Sequence, residues 1–203
     1  MRNMRFLMTM LLALVFTGAM AQKSGYQIGD TARDFELKNV DGETVSMADH
    51  EDAKGFLVIF SCNTCPYVVA YEDRMMELHE KYAPKGYPVI AINPNDEALS
   101  PGDSFEKMQE RARDKNFPFA YVYDESQEIV NAYGATRTPE VYLLQKQDDE
   151  LVVKYIGAID NNYRDASEVT ERYVEEAVDA LLDDRQIAET STKAIGCTIK
   201  FRK

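Results

Sequence analysis

Two cysteines stand two residues apart in the stretch Phe60-Ser61-Cys62-Asn63-Thr64-Cys65-Pro66-Tyr67-Val68, and one more, Cys197, lies near the end of the chain. Such a pair admits three chemistries: a metal clip, a structural staple or a reactive dithiol. Zinc asks for four ligands, and only Cys197, His50 and His79 remain to complete a set. His79 falls about four turns along the helix expected behind the pair, and so points away from a site at its start. Covalent haem attachment needs His directly after the second cysteine, and Pro66 stands there. A disulfide closing so small a loop removes little entropy from the unfolded chain. The favoured reading is a reactive pair that needs no metal and no cofactor.

The elements around the pair suit that role. Phe56 to Phe60 is a continuous apolar run of strand length, as in a strand buried on both faces. Behind the cysteines, Val68, Tyr71, Met75, Leu78 and Tyr82 recur three and four apart, which predicts an amphipathic helix starting at the pair. Its first turn offers unpaired N–H groups and the positive end of the dipole, and both favour a thiolate. Cys62, outermost on the turn, is expected to attack, and Cys65, one turn deeper, to resolve the mixed disulfide. Pro66 suits the first helical turn because it has no N–H to leave unpaired.

Elsewhere, strand and helix alternate. Tyr26 to Ser46 reads as an extended piece with a hairpin turn at Asp41-Gly42. A second buried strand over Tyr87 to Asn93 is stopped by Pro94. A helix is expected over Ser104 to Asn116, with Asp103 and Glu106 as a capping box. Then come a strand over Phe119 to Asp124 and a short helix from Gln127 to Tyr133 ended by Gly134. Strands at Val141 to Leu144 and Leu151 to Gly157 follow, then a helix from Ser167 to Asp184. Parallel strands joined by helices, followed by a hairpin, imply an α/β fold with a mixed central sheet.

The N-terminus carries Arg2 and Arg5, an apolar run from Phe6 to Phe16, and Ala19-Met20-Ala21. These are the marks of a secretory signal peptide over residues 1–21, and the apolar run is too short to span a bilayer. Cleavage near Ala21 leaves one domain, expected over 22–184, and a tail over 185–203 that carries Cys197. The mature chain is expected to be extracytoplasmic, periplasmic or secreted, without stable membrane association. There a disulfide can form and persist. Losing two arginines and no acids moves the formal charge from −12 to −14. Phosphate backbones would repel so acidic a chain, so nucleic-acid binding is not expected.

Several motifs then point one way. They are Ile28-Gly29-Asp30, Asp34-Phe35-Glu36-Leu37, Asp41-Gly42, the Cys62 to Val68 stretch with Tyr71-Glu72-Asp73-Arg74, and Asn95-Asp96. Tyr133 to Val141, Gly157-Ala158-Ile159-Asp160 and Ile195 to Lys200 complete the set. Together they resemble the thioredoxin-like superfamily, and within it the redoxin or peroxiredoxin-like branch with an AhpC/TSA-type domain. The resemblance covers essentially the whole mature chain. It implies a thioredoxin fold with an N-terminal β extension, and a cis Pro139 facing the dithiol. Thr138 would offer its backbone there to a bound substrate chain. The partners implied are protein thiols and disulfides, together with a redox partner that recycles the pair.

Two departures bear on mechanism. Many members of the branch carry His where Thr64 stands, so the resemblance implies a Cys62 thiol less depressed, and a couple less oxidising, than theirs. Thioredoxin's buried Asp, six residues before its first cysteine, is replaced by Phe56. Glu72 is then the candidate proton acceptor for Cys65, although its helix face reads as solvated. A peroxiredoxin-like peroxidase is the alternative activity. It would need an activating threonine three residues before its cysteine, and those places hold Ile59 and Cys62. Arg137 is the residue that could still stand near a thiolate. A thioredoxin-fold module that only binds a metal or a partner is the second alternative. Cys197 reads either as a small buried residue in a packed tail or as a third redox thiol.

Overall fold

The computed structural model describes residues 25–202, so the signal-peptide reading of residues 1–21 lies outside the described residues. The described residues begin with three short strands: β1 (Thr31–Ala32), β2 (Leu37–Asn39) and β3 (Thr44–Val45). The βα units are β4 (Gly55–Phe60), α1 (Pro66–Tyr82), β5 (Val89–Asn93), α2 (Phe105–Lys115) and β6 (Ala120–Tyr123). After them come α3 (Glu128–Tyr133), β7 (Arg137–Thr138), β8 (Glu140–Gln147), β9 (Glu150–Gly157), α4 (Tyr173–Leu182) and β10 (Cys197–Thr198).

Eight strands form one sheet in the order β1-β9-β8-β4-β5-β6-β2-β3, and β10 pairs with β7 separately. The β4–β5 and β5–β6 pairs are parallel, while β4–β8 and β8–β9 are antiparallel. This is the mixed sheet that the order of elements implied. All six residues of β4 are buried. Successive side chains of a strand point to opposite faces, so β4 supplies both cores. Leu57 and Ile59 pack with Tyr71, Met75, Leu78 and Tyr82 of α1 and with Val174 and Val178 of α4. Phe56, Val58 and Phe60 pack on the other face with Ile129, Val130 and Tyr133 of α3, and Ile199 of the tail joins them.

Two expected element boundaries differ. The last helix starts at Tyr173, and only a single 3-10 turn forms at Ala166–Glu168. The side-chain carbonyl of Asn161 accepts the N–H groups of Thr170 and Glu171, and the Asn161 N–H donates to the Glu171 carbonyl. These bonds hold 169–171 out of the helix, where β-branched Val169 and Thr170 also disfavour it. At α2 the N-cap is Ser104, whose hydroxyl accepts the Lys107 N–H. Asp103 faces inward instead of forming the expected box with Glu106.

The tail is a structured part of the fold. Thr190 and Thr192 exchange backbone hydrogen bonds with Ile156 of β9. The Thr192 hydroxyl meets the Tyr155 hydroxyl and accepts the Ala158 N–H. Beyond β10, Lys200 donates its N–H to the Asn95 side chain, and its carbonyl accepts from Asp96 and Gln127. Arg202 pairs with Asp96 at 2.8 Å.

Candidate active site

The cysteine turn sits at the C-terminal end of β4, where the parallel strands hand over to their helices. Helix α1 opens at Pro66, which makes Cys65 its N-cap. Both sulfurs converge on Thr138, the residue before the cis Thr138–Pro139 peptide. Cys62 Sγ lies 3.3 Å from the Thr138 hydroxyl, and the Cys65 thiol donates to the Thr138 carbonyl at 3.3 Å. The loop that carries Thr138 is held by Glu140, whose carboxylate accepts the N–H groups of Thr136 and Arg137. Cys62, Cys65 and Val68 form a small apolar cluster against which Tyr67 and Cys197 pack. All three cysteines are free thiols.

Sequence reasoning missed Asp103. It is fully buried, and its carboxylate accepts the N–H groups of Asn63 and Thr64 at 2.7 and 3.0 Å, which are the two residues between the cysteines. It also accepts from the Thr64 hydroxyl, the Asn95 amide and the Ser100 hydroxyl. Asn63 is fixed further by the Gly102 carbonyl and the Tyr121 hydroxyl. One loop acid thus shapes the whole turn between the cysteines, and its five donors offset the cost of burying a charge. A usable signal was the run of polar residues Asn93 and Asn95 at the end of a buried parallel strand, where α/β sheets build their sites.

The electrostatics separate the two sulfurs. Cys62 is pushed up strongly, first by its hydrogen bond with Cys65, then by burial and by the nearby charge of Asp103. Cys65 is pulled down to about 5, first by the Cys62 hydrogen bond and then, against burial, by hydrogen bonds from the Cys197 thiol and the Val68 N–H. The pair titrates as a unit, and the first charge it takes settles on Cys65, which then gives up its hydrogen bond to the Thr138 carbonyl. This differs from a thiolate expected at Cys62. The positive end of the α1 dipole lies at the N-cap residue, and that is Cys65. Nor is Cys62 outermost, since it is as buried as Cys65.

The accessory candidates fall apart in space. Glu72 is buried against expectation, in a two-pronged pair with Arg111 at 2.7 Å and a second contact to Lys115. Those cations occupy its carboxylate, and no bond joins it to Cys65 among the described residues. Arg137 turns its guanidinium to the Gly196 carbonyl at 3.0 Å, toward the tail. His79 accepts the Val89 N–H and His50 packs on Phe56, both at the opposite end of β4 and β5 from the sulfurs. Thr64 is tied to Asp103, and its methyl is covered by Gly102, where a Cβ would approach to 2.5 Å. Cys197 of β10 lies opposite Thr138 in antiparallel register, on the edge implied for a substrate chain.

Known proteins resemble this chain in sequence and in fold. Residues 28–156 match the model of the AhpC/TSA family. The chain is 28% identical over 134 residues to the thiol-disulfide oxidoreductase ResA of Geobacillus thermodenitrificans, covering 65% of this chain and 71% of that one. Among solved structures, an uncharacterized conserved protein from Geobacillus kaustophilus superposes with a TM-score of 0.79 at 36% identity, over 87% of this chain and 93% of the other. A hypothetical protein from Sinorhizobium meliloti 1021 gives a TM-score of 0.80 at 31% identity, over 88% and 96%. A thioredoxin-like sheet, a dithiol capping its first long helix and a family match over most of the described chain place this protein in the AhpC/TSA family.

Proposed function

We propose that the chain is an exported thiol–disulfide oxidoreductase that works through a Cys62–Cys65 disulfide and needs no cofactor. The observation that carries this reading is the convergence of both sulfurs on Thr138, one thiol on its hydroxyl and the other on its carbonyl. The reduced pair holds one proton and one negative charge between two sulfurs packed in one cluster. Passing that proton from Cys62 to Cys65 frees the Cys62 thiolate to attack a substrate disulfide. A mixed disulfide forms at Cys62 and one substrate thiolate leaves. Cys65 then loses its proton and attacks Cys62 Sγ, which closes the Cys62–Cys65 disulfide and releases the second substrate thiol. In reverse, the same steps insert a disulfide. Thr138 and Pro139 shape the substrate edge, and a separate redox partner resets the pair. Thr64, which carries no charge, keeps the couple less oxidising than a His at that place would.

Turnover in an insulin-reduction assay is expected for the chain beginning at Gln22, with loss on Cys62→Ser or Cys65→Ser. Wild-type rates in the Cys62→Ser protein would remove the assignment. Steady peroxide consumption by either single-cysteine site would favour the peroxidase reading instead. Export is supported by Arg2, Arg5, the Phe6 to Phe16 run and Ala19-Met20-Ala21. N-terminal sequencing of the protein from fractionated cells is expected to begin at Gln22 in the extracytoplasmic fraction.

A further inference from the structure

The strand that a substrate would form beside Thr138 is already present, and it belongs to this chain. β10 lies antiparallel on β7 with Cys197 opposite Thr138, and the Ile199 N–H continues the ladder to the Thr136 carbonyl at 3.1 Å. Gly196 permits the approach, since a Cβ there would fall 2.1 Å from the Thr138 carbonyl oxygen. Arg137 adds a hydrogen bond from its guanidinium to the Gly196 carbonyl. This register sets Cys197 in the same cluster as Cys62 and Cys65. Its side chain packs against that cluster, and the Cys65 thiol rests on the carbonyl of Thr138, the residue that Cys197 faces.

We propose that Cys197 is a third redox-active thiol, which takes over the Cys62–Cys65 disulfide as a Cys65–Cys197 disulfide and leaves Cys62 as a free thiol. This rests on the dithiol reading above and extends it to the tail. In the step, the Cys197 thiolate attacks Cys65 Sγ. The Cys65–Cys197 bond forms as the Cys62–Cys65 bond breaks, and Cys62 leaves as a thiolate that takes up the proton Cys197 released. No outside oxidant or reductant is needed, because the disulfide only changes owners. Cys65 is the sulfur attacked because it sits on the backbone carbonyl of Thr138, at the strand edge where β10 brings Cys197, while Cys62 meets the Thr138 side chain.

The electrostatics run the same way. Cys197 is pushed up to about 11 by burial, by its hydrogen bond with Cys65 and by the charge on Cys65, while Lys200 pulls it down. Once Cys65 is in a disulfide it carries no charge, so that repulsion ends and the Cys197 thiolate is easier to form when it has a target. The product closes the substrate edge covalently and presents Cys62 as a lone thiol.

The test is disulfide mapping on the chain from Gln22, in wild-type, Cys62→Ser and Cys65→Ser forms. Each is equilibrated in glutathione buffers of graded ratio, acid-quenched and blocked with N-ethylmaleimide. Trypsin places Cys197 on peptide 194–200 and both other cysteines on peptide 55–74. The two peptides are expected to be linked in wild type and in Cys62→Ser, with fragmentation assigning the bond to Cys65, and the link is expected to be lost in Cys65→Ser. Full alkylation of Cys197 in wild type and Cys62→Ser overturns the proposal. So does a link that persists in Cys65→Ser, or one that joins two copies of peptide 194–200. The wild-type arm reads the bond without any substitution that could disturb folding. A wild type that forms the link yet turns over no insulin would sink the oxidoreductase reading and leave this one standing.

Discussion

Two buried carboxylates lie on or beside α1, and they are partnered in opposite ways. Glu72, on the helix, faces the cations of α2 and pairs with Arg111 and Lys115. Asp103, in the loop before α2, has no cation within ion-pair reach among the described residues, and its oxygens are filled by five neutral donors. A charge cancelled by an adjacent cation exerts little field beyond the pair. A charge met only by dipoles still acts at a distance, and Asp103 is one of the causes that raise Cys62. Burial alone therefore does not mark a carboxylate as functional. What surrounds it decides whether its charge stays local.

The largest expected effect separates the dithiol from both acids. Cys65 is held near 5 in the fold against an ordinary thiol value of 9.0. A depressed folded value adds stability above the unfolded value and loses it as pH falls through the folded one. Reduced protein should therefore gain stability from about pH 5 toward pH 9, with a slope of at most about 1.4 kcal/mol per pH unit. Oxidised protein should show no such slope. Denaturant midpoints measured on both forms at pH 5 and pH 8 check this, and parallel curves would place the charge elsewhere.

Next comes Asp103→Asn. It removes the charge near Cys62 and turns one acceptor of the turn into a donor, at an expected cost of about 2–3 kcal/mol in stability. The couple should become more oxidising by on the order of 30 mV, a tenfold shift against glutathione. Glu72→Gln should cost about 2 kcal/mol, below the cost of breaking a fully buried pair because Arg111 and Lys115 stay about a third exposed. It should leave the potential where it was. Equal shifts in the two variants would erase the contrast between the acids. The smallest effect is Thr64→Val, which removes one hydroxyl donor to Asp103 at about 1 kcal/mol and moves the potential less than Asp103→Asn does.

Local patterns carried most of the fold. The spacing of Val68, Tyr71, Met75, Leu78 and Tyr82 located α1, and all five are buried. The unbroken run in β4 announced a strand between two cores, which Phe56 and Leu57 occupy on opposite faces. The cysteine pair was legible because its spacing is local. Asp103 was not, because it reaches the turn from some forty residues away, and an Asp before a helix reads first as a cap. Glu72 looked solvated because the cations that bury it lie on another helix. The start of α4 was misplaced for a similar reason, since Asn161 withdraws the backbone of 170–171 from the helix. Cys197 could be noted as odd, but its partner depends on a register that Gly196 and Thr138 set only once the tail has folded back.

The tail is fastened on both sides of β10, at Thr190 and Thr192 on β9 and at Lys200 and Arg202 on Asn95, Gln127 and Asp96. Peeling β10 from β7 therefore raises a short bight and does not release a swinging end. A loop closed at both ends gains little entropy on opening, and its thiol stays near the site at an effective concentration on the order of millimolar. Any protein thiol that docks beside Thr138 meets a resident competitor. Affinity for the edge would have to be won against it.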